Sequence, residues 1–149
     1  MEKDNITALQ AQLLSSRPMN FVFSVIVIAS LPLIYLLVYK TGGIKYVFSQ
    51  TMYLPIIFAG IFWGFKGGAL IGIIGGLLLG PLMPINTMTG EPQLIINWVY
   101  RMVYFFIVGT TVGAFSDFLK HYIKKMHYLS THNNETGLYN MVSLYLDKD

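Results

Sequence analysis

The sequence contains no cysteine, and charged residues make up only 11% of its 149 residues. The absence of cysteine excludes disulfides, thiolate metal sites and a cysteine nucleophile. Because an ordinary soluble domain carries about 25% charged residues, the shortage of charge argues against a water-soluble fold. The few charges lie at the ends of apolar runs and in the C-terminal segment, where membrane topology requires them. We therefore expect no nucleic-acid partner.

Hydrophobic residues make up 54% of the chain, and the mean hydropathy is +0.57. They are concentrated in four long runs, at residues 21–39, 47–65, 67–85 and 94–115. Each run is close to the ~20 residues that cross about 30 Å of hydrocarbon. The sequence therefore predicts an all-α membrane protein with four transmembrane helices and a cytoplasmic signalling helix after them. The lipid bilayer would be a partner of these helices. Residues 1–20 would form a cytoplasmic N-terminus.

The distribution of lysine and arginine predicts the orientation of these helices, because cytoplasmic loops carry an excess of both residues. Four crossings place both termini on one side of the membrane. That side would hold seven basic residues, Lys3, Arg17, Lys66, Lys120, Lys124, Lys125 and Lys148, against Lys40 and Lys45 on the other. We expect a bacterial inner-membrane protein with both termini cytoplasmic. A re-entrant second or third run is the alternative that would change this topology.

Glycines recur at every fourth position through the second and third runs. The series is Gly60, Gly64, Gly68, Gly72, Gly76 and Gly80, and Gly109 and Gly113 repeat the spacing in the fourth run. Small residues at this spacing allow two helix backbones to approach closely in lipid. The ladder is either a packing surface within one bundle, or a dimer seam or sliding surface that transmits a signal.

Arg101 lies inside the fourth apolar run, seven residues from its start, at a depth of roughly 10 Å. A charge at that depth costs ~1–3 kcal/mol or more unless it finds a partner. Asn97, Trp98 and Tyr104 share its side of the helix at three- and four-residue spacing. One hypothesis is a ligand site in which these residues surround an anion or polar headgroup, with Glu91 near the mouth. The alternative is a structural arginine that bonds loop carbonyls.

Apolar residues continue beyond the fourth run at spacings of four, three, four and three. They are Phe115, Leu119, Tyr122, Met126 and Leu129. This is an a/d seam, which predicts a linker helix over 116–130 that pairs in a homodimer. A single amphipathic helix on the anionic inner leaflet is the alternative. We expect no metal site, since the histidines lack ligand pairing on one helical face, and no catalytic residue is apparent.

Residues 131–140 read T-H-N-N-E-T-G-L-Y-N and resemble the start of a GGDEF domain, the diguanylate cyclase module of cyclic di-GMP signalling. That start usually reads D-x-L-T-G-L-x-N-R. The matching positions are Thr136, Gly137, Leu138 and Asn140, while Asn133, Glu135 and Met141 depart from the pattern. The glycine-rich stretch 53–81 is also similar to the membrane sensor regions that precede such domains.

The resemblance implies a membrane sensory or signal-input module that regulates a C-terminal diguanylate cyclase domain. The G-G-D-E-F signature is absent from the 149 residues, so the chain would be truncated at the start of that domain, over residues 131–149. Magnesium and GTP would belong to the missing domain, and no cofactor is expected here. The cue would be a small molecule or a membrane property. The alternatives are a substrate-binding transport component of the vitamin-uptake kind and a structural membrane subunit.

Overall fold

The computed structural model describes residues 17–131, and all the regular structure in that range is helical. The elements are α1 (Arg17–Lys40), a 3₁₀ helix (Val47–Met52), α2 (Tyr53–Leu78) and α3 (Ile95–Thr131). The predicted all-α class is therefore confirmed for this part of the chain. Three stretches are long and apolar enough to cross a membrane, namely Asn20–Lys40, Val47–Leu78 and Ile95–Met126.

The outer surface of the bundle is apolar, as expected for helices in contact with lipid. Only 22% of the residues in the most hydropathic windows of α1 and α3 are buried. Large side chains such as Phe21, Leu33 and Ile107 are at least half exposed. Because soluble monomers rarely expose such wide apolar surfaces, the fold fits a membrane localisation.

Helix α2 contains a reversal of the chain at Gly64. Its backbone there has φ 72° and ψ −158°, which lies outside the helical region. A Cβ placed on Gly67 would lie 3.0 Å from the carbonyl oxygen of Ala59, whereas eight residues of straight helix separate two positions by about 12 Å. The segments 53–63 and 65–78 are therefore two antiparallel halves of a helical hairpin, joined at a tip formed by Gly64 and its neighbours.

The boundaries of the second and third helices differ from the predicted ones. The reversal lies at Gly64 and not at a loop around Lys66, because only glycine adopts φ 72° without strain. The second half ends at Leu78 and not at residue 85, since the prolines that follow cannot continue a helix. The predicted fourth helix and the linker after it form one uninterrupted helix, α3.

The glycine ladder lies where the two halves of α2 meet α3. Gly68 and Gly109 pack backbone against backbone, and a Cβ on Gly72 would lie 2.7 Å from the carbonyl oxygen of Phe105. Gly60 and Gly113 also meet backbone atoms across this contact, whereas Gly64, Gly76 and Gly80 face the side chains of Asp117, Met102 and Trp98. We call this contact the glycine seam. In lipid, close van der Waals packing of this kind holds helices together.

Helix α1 packs on the outside of this hairpin. The indole nitrogen of Trp63 donates to the hydroxyl of Ser24 over 3.1 Å near the tip. At the opposite end, the hydroxyl of Tyr35 donates to the carbonyl of Leu82 over 3.0 Å. The buried core comprises Val27, Leu31, Ile34, Val38, Met52, Ile56, Ala59, Ile71, Leu79, Met83 and Phe105.

The turn after α1 is bonded to the loop after α2. The amide of Thr87 donates to the carbonyl of Gly42 over 3.2 Å, and the amide of Lys45 donates to that of Ile85 over 3.1 Å. These two connections therefore lie at the same end of the bundle, opposite the tip at Gly64.

Candidate functional site

The guanidinium of Arg101 is fixed at the end of the bundle opposite the tip. Its Nη1 donates to the carbonyl of Leu79 over 2.8 Å and to Oε1 of Gln93 over 3.3 Å. Leu79 is the C-cap residue of α2, and the last carbonyls of a helix lack partners within the helix. Arg101 therefore supplies a hydrogen bond and a positive charge at a helix C-terminus, where a cation is favoured.

Gln93 completes the same cap, and the sequence analysis did not identify it. Its Nε2 donates to the carbonyls of Leu79, Gly80 and Met83 over 2.9, 3.1 and 2.5 Å. The two N–H donors of this amide are thus shared among three main-chain oxygens where the chain leaves α2. Only its place as a polar residue directly before a long apolar run hinted at this role.

Beside Arg101 lies an open groove of about 460 Å³, which we call the Arg101 groove. It is lined by Tyr53, Ile96, Asn97, Tyr100, Arg101 and Tyr104. The hydroxyl of Tyr100 donates to that of Tyr104 over 3.1 Å. The structure thus brings together three of the predicted candidates, at positions 97, 101 and 104. It adds Tyr53 and Tyr100, which were not among those candidates.

The other two predicted candidates lie outside this groove. Trp98 lines a separate cavity of about 490 Å³, where its ring packs 3.2 Å from the Cβ position of Gly80. Glu91 lies in the preceding loop, where its carbonyl accepts a hydrogen bond from the amide of Ile85 over 2.9 Å. The aromatic surroundings of Arg101 are therefore tyrosines and not the indole ring.

The groove has a positive charge without a carboxylate beside it. Within residues 17–131 the only acidic residues are Glu91 and Asp117, and neither lines the groove. Arginine has five N–H donors, and the hydrogen bonds that Arg101 makes within this range both come from Nη1. The donors on Nη2 and Nε are thus open to a ligand.

The tip at Gly64 has a cap of its own, made by α3. The amide of Phe65 donates to Oδ2 of Asp117 over 2.9 Å. Ser116 and Lys120 donate to the carbonyl of Ile61 over 2.7 and 2.9 Å. An anion thus lies at the start of the second half of α2 and a cation at the end of the first, as helix dipoles favour.

The predicted a/d seam lies on the outer surface of α3. Phe115, Leu119, Tyr122 and Met126 are 40–62% exposed, and the helix continues through this segment without a break. The side chain of Leu129 lies outside the described residues. So do the four GGDEF-like positions, Thr136, Gly137, Leu138 and Asn140.

Within the described range, no group of three histidine or carboxylate residues is placed to hold a metal ion. Comparisons of the chain with known protein families, with curated proteins and with solved structures find no match. The candidate function therefore depends on the geometry of the Arg101 groove and of α3.

Proposed function

We propose that the chain is a membrane signal-input module in which α3 carries a signal from the Arg101 groove to a cytoplasmic output domain. The observation that carries the proposal is that one helix serves both regions. Arg101 and Thr131 belong to the same α3, and thirty residues of helix separate them by about 45 Å. A displacement at the groove therefore reaches the end of the helix without crossing a loop.

The contacts support four crossings of the bilayer. Because Gly42 and Thr87 are hydrogen-bonded, the chain between them crosses the membrane an even number of times. The hairpin follows α3 from the contact of Gly80 with Trp98 to that of Gly64 with Asp117. These two positions are nineteen residues apart on α3, about 28 Å, which is close to the ~30 Å of hydrocarbon. Two full passes fit this depth better than a shallow re-entrant loop.

The charges support a cytoplasmic tip in a bacterial inner membrane. Lys66, Lys120 and the two lysines that follow lie at the tip or beyond it, whereas Lys40 and Lys45 lie at the groove end. Lysine is enriched on the cytoplasmic side. In this orientation the groove opens to the outer side, and both termini are cytoplasmic.

The absence of cysteine makes the topology directly testable. In intact cells a membrane-impermeant maleimide should label Met88→Cys, since Met88 is 91% exposed in the groove-end loop. It should label Lys66→Cys only after permeabilisation. Failure of Lys66→Cys to react from either side would indicate a re-entrant hairpin and contradict the four crossings.

The output in this proposal is a GGDEF-type diguanylate cyclase domain, which the segment 131–140 resembles. The exposed a/d residues of α3, Phe115, Leu119, Tyr122 and Met126, support pairing of two copies along this helix. Such pairing would bring two output domains together. The groove lies at one end of the bundle and not at its middle, which favours a sensor over the transport alternative.

A test of the function is to fuse the chain to a catalytic GGDEF domain and to measure cyclic di-GMP in cells. Inserting two residues after Lys125 rotates the output by about 200°, whereas inserting seven returns it to within about 20°. We expect the two-residue insertion to change the cyclic di-GMP level several-fold and the seven-residue insertion to restore it. Equal levels in both fusions would show that α3 does not transmit a helical signal.

A further inference from the structure

We propose that the Arg101 groove binds the phosphate group of an anionic amphiphile, with the headgroup of a phospholipid as the favoured source. This extends the proposed function by naming the class of ligand, and it rests on that function only for the signalling consequence. The inference depends on three features of the groove: the donors that Arg101 retains, the tyrosines beside it, and the apolar surface through which the groove opens.

The donors match a phosphate. Nη1 of Arg101 is held by Leu79 and Gln93, which fixes the plane of the guanidinium before any ligand binds. The donors of Nη2 and Nε then present the edge that binds phosphate through two parallel hydrogen bonds. Because no described carboxylate lines the groove, an incoming anion meets no competing negative charge.

The tyrosines and Asn97 provide further polar contacts on the same wall. Tyr100 donates to Tyr104 over 3.1 Å, so the hydroxyl of Tyr104 keeps its own proton to donate. Tyr53, at the start of α2, also lines the groove, and its ring meets that of Phe105 edge to face at 4.8 Å. These side chains sit on helices that pack against each other, which fixes the groove before binding.

The position of the groove favours a lipid over a soluble anion. Ile96 is 68% exposed and Tyr100 is 61% exposed, so the groove opens sideways through apolar surface. Arg101 lies sixteen residues along α3 from Asp117, about 24 Å, and therefore close to the groove-end face of the bilayer. An acyl chain can run down the outside of α3 while its phosphate reaches the guanidinium.

The test uses the full chain, purified in a neutral detergent and mixed with equal amounts of phosphatidylglycerol and phosphatidylcholine. Native mass spectrometry then counts each bound lipid. We expect the wild-type chain to prefer phosphatidylglycerol, and Arg101→Gln to reduce that preference by about tenfold, as the loss of a charged hydrogen-bonding partner implies. The matched control is Lys45→Gln, which removes one exposed charge at the same end and should leave the preference within about twofold.

A second variant separates binding from folding. The double substitution Tyr100→Phe with Tyr104→Phe removes two hydroxyls but leaves the bond of Arg101 to Leu79 intact. It should reduce the preference by about threefold, in proportion to weaker neutral hydrogen bonds. If Arg101→Gln does not yield folded protein, the double variant decides whether the groove binds the lipid phosphate. An unchanged lipid preference in the double variant, or in a folded Arg101→Gln chain, would overturn the proposal.

A third arm distinguishes the sources of the anion. Inorganic phosphate at millimolar concentration is added during lipid binding. If it displaces phosphatidylglycerol, the groove recognises free phosphate as well. If it has no effect while the variants do, the ligand is the lipid-borne group. These binding results are independent of the fusion experiment, so a groove that binds lipid without altering cyclic di-GMP would contradict the signalling function alone.

Discussion

Both ends of the hairpin leave helix-terminal backbone groups without partners inside the helix, and each end satisfies them with a different set of charged side chains. At each end a cation from α3 donates to carbonyls that terminate a helical segment, Arg101 to Leu79 and Lys120 to Ile61. Only the tip adds an anion, since Asp117 accepts the amide of Phe65 there. The two charges of the tip cap, Asp117 and Lys120, thus compensate each other, whereas no described carboxylate lines the groove beside Arg101.

This difference distinguishes an end of the hairpin whose charges serve only the structure from an end that can bind a ligand. Unpaired backbone groups are costly in lipid, so both ends need a cap, and the caps alone would explain both cations. At the tip, Asp117 and Lys120 both make hydrogen bonds of the cap. The groove end retains donors after its structural bonds are made, and that surplus makes Arg101 the candidate for binding.

The largest loss of stability is expected from a bulky substitution in the glycine seam, which connects the two ends. In Gly113→Leu the new side chain meets the backbone of Gly64 and of Phe65. The two helices cannot move apart to make room without breaking the hydrogen bonds of the caps. Overpacking of this kind costs 1–3 kcal/mol and occasionally more, so we expect at least about 3 kcal/mol here. The loss of unfolding free energy is measured by reversible unfolding in mixed micelles.

The control for this variant is Ala114→Leu, on the same helix but at an exposed position. It should change the free energy of unfolding by less than about 0.5 kcal/mol. Equal destabilisation by the two variants would show that α3 does not pack through its glycines.

A smaller effect is expected at the tip itself, in Gly64→Ala. The combination of φ 72° and ψ −158° is essentially restricted to glycine, so another residue there costs about 1–3 kcal/mol, and the methyl group also displaces the carboxylate of Asp117. Gly90→Ala is the matched control, because Gly90 has φ 69° but nothing within 4 Å of its Cβ position. The difference between the two losses of unfolding free energy measures the displacement of Asp117 together with the strain of ψ −158° at Gly64. No difference would mean that the cap contributes nothing.

Much of this architecture follows from the sequence. The low charge and the long apolar runs predicted membrane helices, and α1 begins and ends within a few residues of its predicted bounds. Helical spacing also placed Asn97 and Tyr104 beside Arg101, because residues three and four apart share a face.

The reversal and the caps did not follow from it. Every glycine of the ladder is compatible with a turn, so the sequence offered several sites, and the charge of Lys66 pointed two residues too far along the chain. Asp117 is 52 residues from its partner Phe65, and Gln93 is 14 residues from Leu79. Contacts at such separations depend on how the helices pack, which local pattern does not encode.

The smallest expected effect tests the charge balance on which the comparison of the two ends depends. Asp117→Ala leaves the amide of Phe65 without its acceptor and should lower the free energy of unfolding by about 1 kcal/mol, the usual cost of losing a helix N-cap. Asp117→Asn keeps an acceptor oxygen but loses the charge, so it should recover about half of that loss. If instead Asp117→Asn and Asp117→Ala lower the free energy of unfolding equally, the carboxylate acts through its charge and not through its hydrogen bond. If neither variant loses stability, the tip is not held by its anion, and the contrast with the uncompensated Arg101 no longer distinguishes a structural end from a binding end.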